Sequence, residues 1–400
     1  MKLLIMFALC ATLLSAETGV DKSVESLQES SASVEDVVVV KDLSGMSSDD
    51  VRKRANIQEK SKRDSKWEDL SPTPLKCDWV KTKSGEWFKG KIEGLFNGKL
   101  EFDSQEIGLY SFDFDDVEEI KSYQILTLNV ENIATFPGIM RLKNERVVII
   151  QGENSYEFLK KDVVSFAPDS KRERNYWSAK ATASVDARRG NANQLDFSAK
   201  VNLKRRDAKS RLTLDYLGRL ATKDRVETAN DHRINQKYDR YLTRHFFWTP
   251  LFSEFYTDKY KNILKQLSAG MGVGYTLIES KKTTLSLSGG PAFIYTIYHT
   301  VVKNSALSTF SPAFDISVKY ETALNKTVDI TYNYKLTYTD DNAGLYKHHM
   351  LVTLENELTS WLDVDITGVW DYILYPQEES NGIRPQESDF QILIGFGVEF

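Results

Sequence analysis

The sequence predicts an all-β chain, a transmembrane antiparallel β-barrel of about 12 strands preceded by a small repeated β-module of SH3-like or Sm-like type. Three observations predict it. Residues 175–400 alternate apolar and polar side chains for ten or more residues at a time, longer than the usual strand of a soluble sheet. Tyr is dense there, with 16 of the chain's 19. The last strand sets Phe390, Ile392, Ile394, Phe396, Val398 and Phe400 on one face, an apolar row ending in an aromatic.

Composition agrees by exclusion. The chain has 400 residues, 41% hydrophobic and 12% aromatic, too rich in aromatics for overall disorder. A net charge of −5 gives no basic field for nucleic acid, and no such partner is expected. Outside the N-terminus no apolar run approaches the roughly 20 residues that a membrane helix needs. Negative mean hydropathy does not argue against a barrel, because its strands average lipid-facing and lumen-facing rows.

The elements follow in chain order. Residues 1–16 read as a secretory signal peptide, with Lys2, an apolar run from Leu3 to Leu14, and cleavage at Ala16. Its removal takes Cys10 and leaves Cys77 alone, so no internal disulfide is expected in the exported chain. Residues 17–74 are rich in Ser, Glu, Asp and Lys and read as a polar, mostly disordered tether, with Val37–Val40 its one strand-like run.

Residues 75–168 hold a repeat. Gly90–Phe102 followed by Phe112–Ile120 returns as Gly138–Ile149 followed by Tyr156–Phe166. Asn97 maps to Asn144 and Asp116 to Asp162. Each copy alternates and carries turn signals, so each reads as a small antiparallel sheet. The pair is expected in the periplasm, as a spacer or a contact to periplasmic or cell-wall partners.

Within 175–400 the strands fall near 176–188, 194–205, 209–222, 234–247, 251–258, 265–278, 282–299, 308–322, 327–340, 345–359, 362–375 and 389–400. An even count puts both ends on the periplasmic side, with short periplasmic turns and longer outer loops such as 223–233. Pro291 and Pro312 fall inside strands of a sheet without edges, which predicts a shared bulge or kink.

With the apolar rows outward, the inward rows can be read. Lys180, Lys200, Lys204, Arg211 and Arg219 form a candidate basic lumen wall. Asp315, Asp329, Glu355, Glu357, Asp363, Asp365 and Asp371 form a candidate acidic one, and Glu399 also points inward. Residues 175–265 carry 19 Lys and Arg against 10 Asp and Glu, and residues 266–400 carry 8 against 16. The charges either pair across a narrow lumen and fill it, or set a transverse field along a narrow pore.

Catalysis has little support. His348 and His349 are adjacent and face opposite sides of a strand, and His245 and His299 fall at opposite strand ends. No Ser stands in a nucleophile context. No cofactor or metal is expected, since nucleotide-binding loops and Cys-rich sets are absent from the sequence. A non-enzymatic barrel is the reading, with a membrane-embedded hydrolase or a translocator barrel as alternatives.

From Trp177 onward the chain resembles the salt-induced outer-membrane protein family, the YdiY-like group of domain-of-unknown-function family 481. The matching pieces are Arg189–Asn193, Thr228–Asn230, Asp258–Ile263, Gly270–Tyr275 and Gly289–Ala292. Ala192 stands where the family commonly has Thr. The resemblance implies a stress-associated barrel in a Gram-negative-type outer membrane, and no catalytic residues. Ile394, Phe396, Val398 and Phe400 resemble the C-terminal signal read by the barrel-assembly machinery. That machinery and outer-membrane lipid are the expected partners.

Overall fold

Alternating strands satisfy their backbone groups by pairing with neighbours, and this chain pairs them in two sheets, one open and one closed. The computed structural model describes Val38–Val39 and residues 76–399 apart from 105, 107, 189–193, 281, 326 and 360. The expected signal peptide with its cleavage at Ala16, nearly all of the tether, and Phe400 lie outside the described residues.

The first sheet is the repeat. A two-residue strand, β1 (Val38–Val39), is followed by β2 (Asp78–Thr82), β3 (Trp87–Phe96), β4 (Lys99–Ser104), β5 (Gly108–Asp113) and β6 (Val117–Val130). Then come β7 (Ala134–Lys143), β8 (Arg146–Gln151), β9 (Asn154–Leu159) and β10 (Val163–Pro168). Both copies turn on two successive residues of positive φ, Asn97-Gly98 and Asn144-Glu145, the backbone that suits the twist of a tight hairpin. Both then pass through a 3₁₀ turn, Phe114–Asp116 or Lys160–Asp162, into the closing strand. The alternation buries one row into a shared core that includes Ile92, Leu95, Leu100, Phe102, Leu128, Met140, Ile149 and Phe166. Burial of each such side chain stabilises by roughly 1.5–3 kcal/mol. Buried Asp78 ties the strands together, accepting from the backbone N–H of Ile92 (2.8 Å) and Tyr123 (2.7 Å). Val38–Val39 adds parallel to β9 at one edge.

The second sheet is a closed barrel of twelve antiparallel strands. They are β11 (Trp177–Arg188), β12 (Gln194–Arg206), β13 (Ser210–Lys223), β14 (Val226–Tyr241), β15 (Phe246–Asp258) and β16 (Ile263–Glu279), then β17 (Thr283–Tyr298), β18 (Ser308–Ala323), β19 (Val328–Thr339), β20 (Tyr346–Thr359), β21 (Leu362–Ile373) and β22 (Ser388–Glu399). The last strand pairs with the first, from Lys180 opposite Glu399 to Ala183 opposite Phe396. Closure leaves no edge. The outward row of β22 decides the environment, because Phe390 is 65% exposed and Ile392, Ile394 and Phe396 are each 63% exposed. A continuous row of that kind is stable against lipid and not against water. Among the described residues no helix is long and apolar enough to cross a membrane, and the crossing elements are strands.

Two expectations are corrected. The loop expected at 223–233 is the two-residue turn Asp224-Arg225, both at positive φ, and β14 begins at Val226. The following turn lies at 242–245, and β15 carries Pro250 within a register shift between Thr249 and Phe252. The polar outward row of β14, with His232 and Gln236 beside Ile234, hides its period. The shared bulge at Pro291 and Pro312 is also absent: β17 and β18 pair without a shift through Phe293 opposite Pro312. Pro291, which has no N–H, instead lies in a gap of the β16–β17 ladder between Gly270/Ala292 and Val273/Gly289.

Beside that gap, glycines make room for rings. Phe247 and Phe252 stand opposite Gly274 and Gly270, and their ring atoms occupy the space that a Cβ at those glycines would need. Gly274→Val is therefore expected to displace the Phe247 ring and destabilise the barrel by about 1–3 kcal/mol. The check is the temperature at which an unboiled sample loses its compact gel migration: it should fall in Gly274→Val and partly recover when Phe247→Ala is added. An unchanged temperature contradicts the packing.

Candidate functional site

The site is the lumen. One rim carries the start of β11 and the end of β22 and is called here the terminal rim; the other is the distal rim. Alternation sends every second side chain inward, and a narrow barrel forces those charges into contact.

Near the terminal rim, closure brings Lys180 of β11 to the acidic strands. Its ammonium pairs with Glu355, with Asp363 (2.7 Å) and with Asp365 (3.5 Å). Lys200 adds a pair with Asp365 (3.0 Å), and the Thr182 hydroxyl donates to the same carboxylate (2.7 Å). Glu355, Asp363 and Asp365 are close enough together to share a cation, and the Lys180 ammonium already supplies that charge. Arg211 and Arg219 pair on neighbouring strands with Asp239 (2.7 Å) and Asp196 (2.6 Å). The basic and acidic sets therefore interlock at the seam rather than face each other as separate walls. Asp315 accepts from the Thr337 hydroxyl (2.6 Å), and Asp329 and Glu357 lie toward the terminal rim with no ion pair among the described residues.

Farther toward the distal rim a second network spans the barrel. Arg233 bridges Asp371 (2.7 Å) and Glu254 (3.3 Å). Lys335 pairs with Glu254 (2.5 Å), His349 with Asp371 (2.9 Å), and Lys347 donates to Gln266 (2.7 Å). Above it the β15–β16 turn folds inward: Lys261, 3% exposed, reaches Asp389 (3.1 Å), and Asn262, 1% exposed, donates to the Thr300 carbonyl (2.7 Å). The space left among these groups is about 30 Å³. A salt-bridged girdle thus constricts the distal half.

Between the girdle and the terminal rim lies a chamber of about 420 Å³. Its wall includes Lys200, Lys204, Lys237 and Glu254, and it is also lined by Asn97, which belongs to the first sheet. The Asn97-Gly98 hairpin reaches the barrel mouth. Gly98 is so close that a Cβ there would meet the Glu279 carboxyl at 2.9 Å, and Lys99 Nζ donates to Thr284 Oγ1 (2.9 Å).

Three more contacts hold the first sheet on the rim. Arg206 makes a two-pronged pair with Glu101 (2.7 Å for each prong) while lying over the Phe96 ring (4.5 Å). Arg244 donates to the Lys160 carbonyl (2.9 Å) and the Val163 carbonyl (3.2 Å). Ser165 Oγ donates to the Ala208 carbonyl (2.5 Å), and Phe96, Ala167 and Ala208 share a small buried cluster. Beneath the same face, burial lowers the Lys160 pKa, and its ammonium donates to the Val117 carbonyl (2.7 Å).

All predicted lumen residues sit on inward rows, but the sequence missed the girdle. Arg233 fell just before the misread start of β14, Glu254 lay inside the expected strand 251–258 without being read as a lumen residue, and Lys335 and Lys347 lay outside the strands tallied as basic. The histidines divide as their alternation requires. His349 points inward, whereas His232 and His348 lie beside Tyr216 (3.0 Å) and Tyr334 (2.7 Å) on the outer face. Of the C-terminal signal, Ile394 and Phe396 face outward on β22 with Val398, and Phe400 lies outside the described residues.

A family profile described as "Protein of unknown function, DUF481" matches residues 181–400. The chain belongs to the DUF481 family. No curated protein matches it. Among solved structures, the NanC porin is 11% identical, with 56% of this chain and 98% of that chain covered and a TM-score of 0.34. The outer-membrane channel DcaP of Acinetobacter baumannii is 8% identical, with 81% and 93% covered and a TM-score of 0.25. A Pseudomonas aeruginosa FadL homologue is 6% identical, with 81% and 86% covered and a TM-score of 0.24. The fold of this DUF481 barrel rests on its own strand pairing.

Docking on the rim gives a direct expectation. Gly98→Val strains the hairpin backbone at a φ of +65° and pushes the Glu279 carboxyl aside. It should free the first sheet from the barrel, raising protease cleavage in 169–176 while compact unboiled gel migration persists. Arg206→Ala, which removes a partly exposed pair worth about 1 kcal/mol, should act in the same direction but less. Equal protection in all three chains contradicts the docking.

Proposed function

We propose that this chain is an outer-membrane β-barrel providing a narrow, charge-lined conduit, held closed at its periplasmic mouth by its own N-terminal module. The observation that carries the reading is the chamber of about 420 Å³ lined by polar and charged side chains between the salt-bridged girdle and the Asn97-Gly98 hairpin. A barrel of about eight strands fills its interior with side chains, and twelve strands enclose a wider one. Here the distal half is filled and the terminal half is not.

The orientation follows from barrel construction: in single-chain bacterial barrels both termini lie on the periplasmic side, and the module then docks from the periplasm. The resemblance to a salt-induced family adds osmotic stress to the proposal as the setting in which the conduit operates. Its check is growth of a deletion strain after osmotic upshift, where a defect restored by the intact gene is expected.

The conduit itself is tested in planar bilayers. The intact chain should show rare or small conductance steps, and Gly98→Val should show steps more often. Asp371→Asn removes the negative charge shared by Arg233 and His349, leaving a weaker amide-oxygen acceptor, and should loosen the girdle, adding to the Gly98→Val effect. A barrel verified as folded by gel migration that conducts in none of these forms contradicts the reading.

A further inference from the structure

We propose that the chamber selects small anions, carboxylate- or phosphate-bearing solutes no larger than a sugar, and that Lys204 is the contact that holds them. The proposal rests on the conduit reading.

Eight Lys and Arg side chains line the chamber against six Asp and Glu, and three of the cations, Lys180, Lys200 and Arg233, also pair with Asp363, Asp365 and Asp371 beyond the lining. Every one of the six carboxylates is already engaged. Asp239 is held by Arg211 and by the Thr249 hydroxyl (2.7 Å), and Glu254 by Arg233 and Lys335. Glu321 is held by Lys319 (2.7 Å), Asp315 by Thr337, Glu355 by Lys180 and Asp215 by the Asn202 amide. Six of the eight cations are matched in the same way, and Lys204 and Lys237 are not.

Lys204 makes no hydrogen bond and no ion pair among the described residues. Its charged neighbours are Lys319, Arg206 and Arg211 against Glu321 and Asp215; Arg206 is committed to Glu101, Glu321 to Lys319 and Asp215 to the Asn202 amide. Lys237 has only the Ser288 hydroxyl within hydrogen-bond reach (3.1 Å), with Asp239 at 3.7 Å. An ammonium has three donors and no acceptor capacity. What the chamber lacks is therefore an acceptor, and its low-dielectric wall strengthens attraction for one that carries negative charge. Its volume is of the size that small-molecule sites use, about 300–1,000 Å³. Lys204 also lies where a solute must pass, between the girdle and the hairpin.

The experiment is the reversal potential across a planar bilayer under a KCl gradient, for the intact chain and for the Gly98→Val chain. Both should reverse toward the chloride potential. Lys204→Gln on either background should move the reversal toward zero, and Lys204→Glu should carry it to the potassium side. Inorganic phosphate added on the module side should reduce chloride current in the parent and have less effect in Lys204→Gln. Gel migration verifies that each variant is folded, and the parental reversal potential tests the idea with no change in the chamber. Current that prefers potassium in the parent, or a chloride preference that Lys204→Glu leaves unmoved, overturns the anion site while leaving the conduit intact. Absence of current in every folded form overturns the conduit, and the anion site with it.

Discussion

The controlling constraint is that closing an alternating sheet buries half its side chains in a lumen with little water. Outward rows answer to lipid and need only be apolar. Inward charges must find one another, because an unpaired charge against a low-dielectric wall is costly. Lys180 with Asp363 and Asp365, and Arg233 with Asp371 and Glu254, are the result. Arg233 meets Glu254 across the β14–β15 hairpin, whereas Lys180 meets Asp363 and Asp365, and Arg233 meets Asp371, only because β22 closes on β11, Lys180 opposite Glu399. A slip of one residue would turn the inward side chains of the slipped strand out toward lipid.

The same pairing divides the lumen along its axis. The distal half spends its charges on the girdle and the inward-folded turn, leaving about 30 Å³ there, whereas the terminal half keeps about 420 Å³. The first sheet then completes the rim of the larger space. Its hairpin can approach the barrel because Asn97 and Gly98 both accept positive φ and Gly98 has no side chain to meet Glu279. The turn that defines the repeat is thus also the part that reaches the barrel. The second copy has Glu145 at the equivalent place, where it pairs with Lys160 (3.5 Å) and serves the module itself.

Much of this was legible in the sequence because period two is a strong signal when one face meets lipid. The twelve strands, the inward placement of Lys204 or Asp371, and the paired Asn97 and Asn144 turns all follow from alternation and turn chemistry. What was not legible has physical reasons. The polar outward row of β14 carried no period to read, so Arg233 went unseen. Pro291 was expected to bend a pair of strands, but a missing N–H can be absorbed as a ladder gap beside glycines. Charge counts over half-barrels predicted separate walls because counts carry no seam, and only closure shows that Lys180 belongs with the acids. Nothing in either segment alone foretells that the module meets the rim, since the contact joins residues such as Ser165 and Ala208 with no shared pattern.

The account stands or falls on that contact. The most direct measurement is crosslinking of Ser165→Cys to Ala208→Cys by a short, reducible bis-thiol reagent in a Cys77→Ser background, with the barrel folded in lipid. The Ser165 hydroxyl lies 2.5 Å from the Ala208 carbonyl, so near-complete crosslinking is predicted, with conductance closed until the linker is reduced. Two thiols that stay free and titratable in a folded barrel would contradict it.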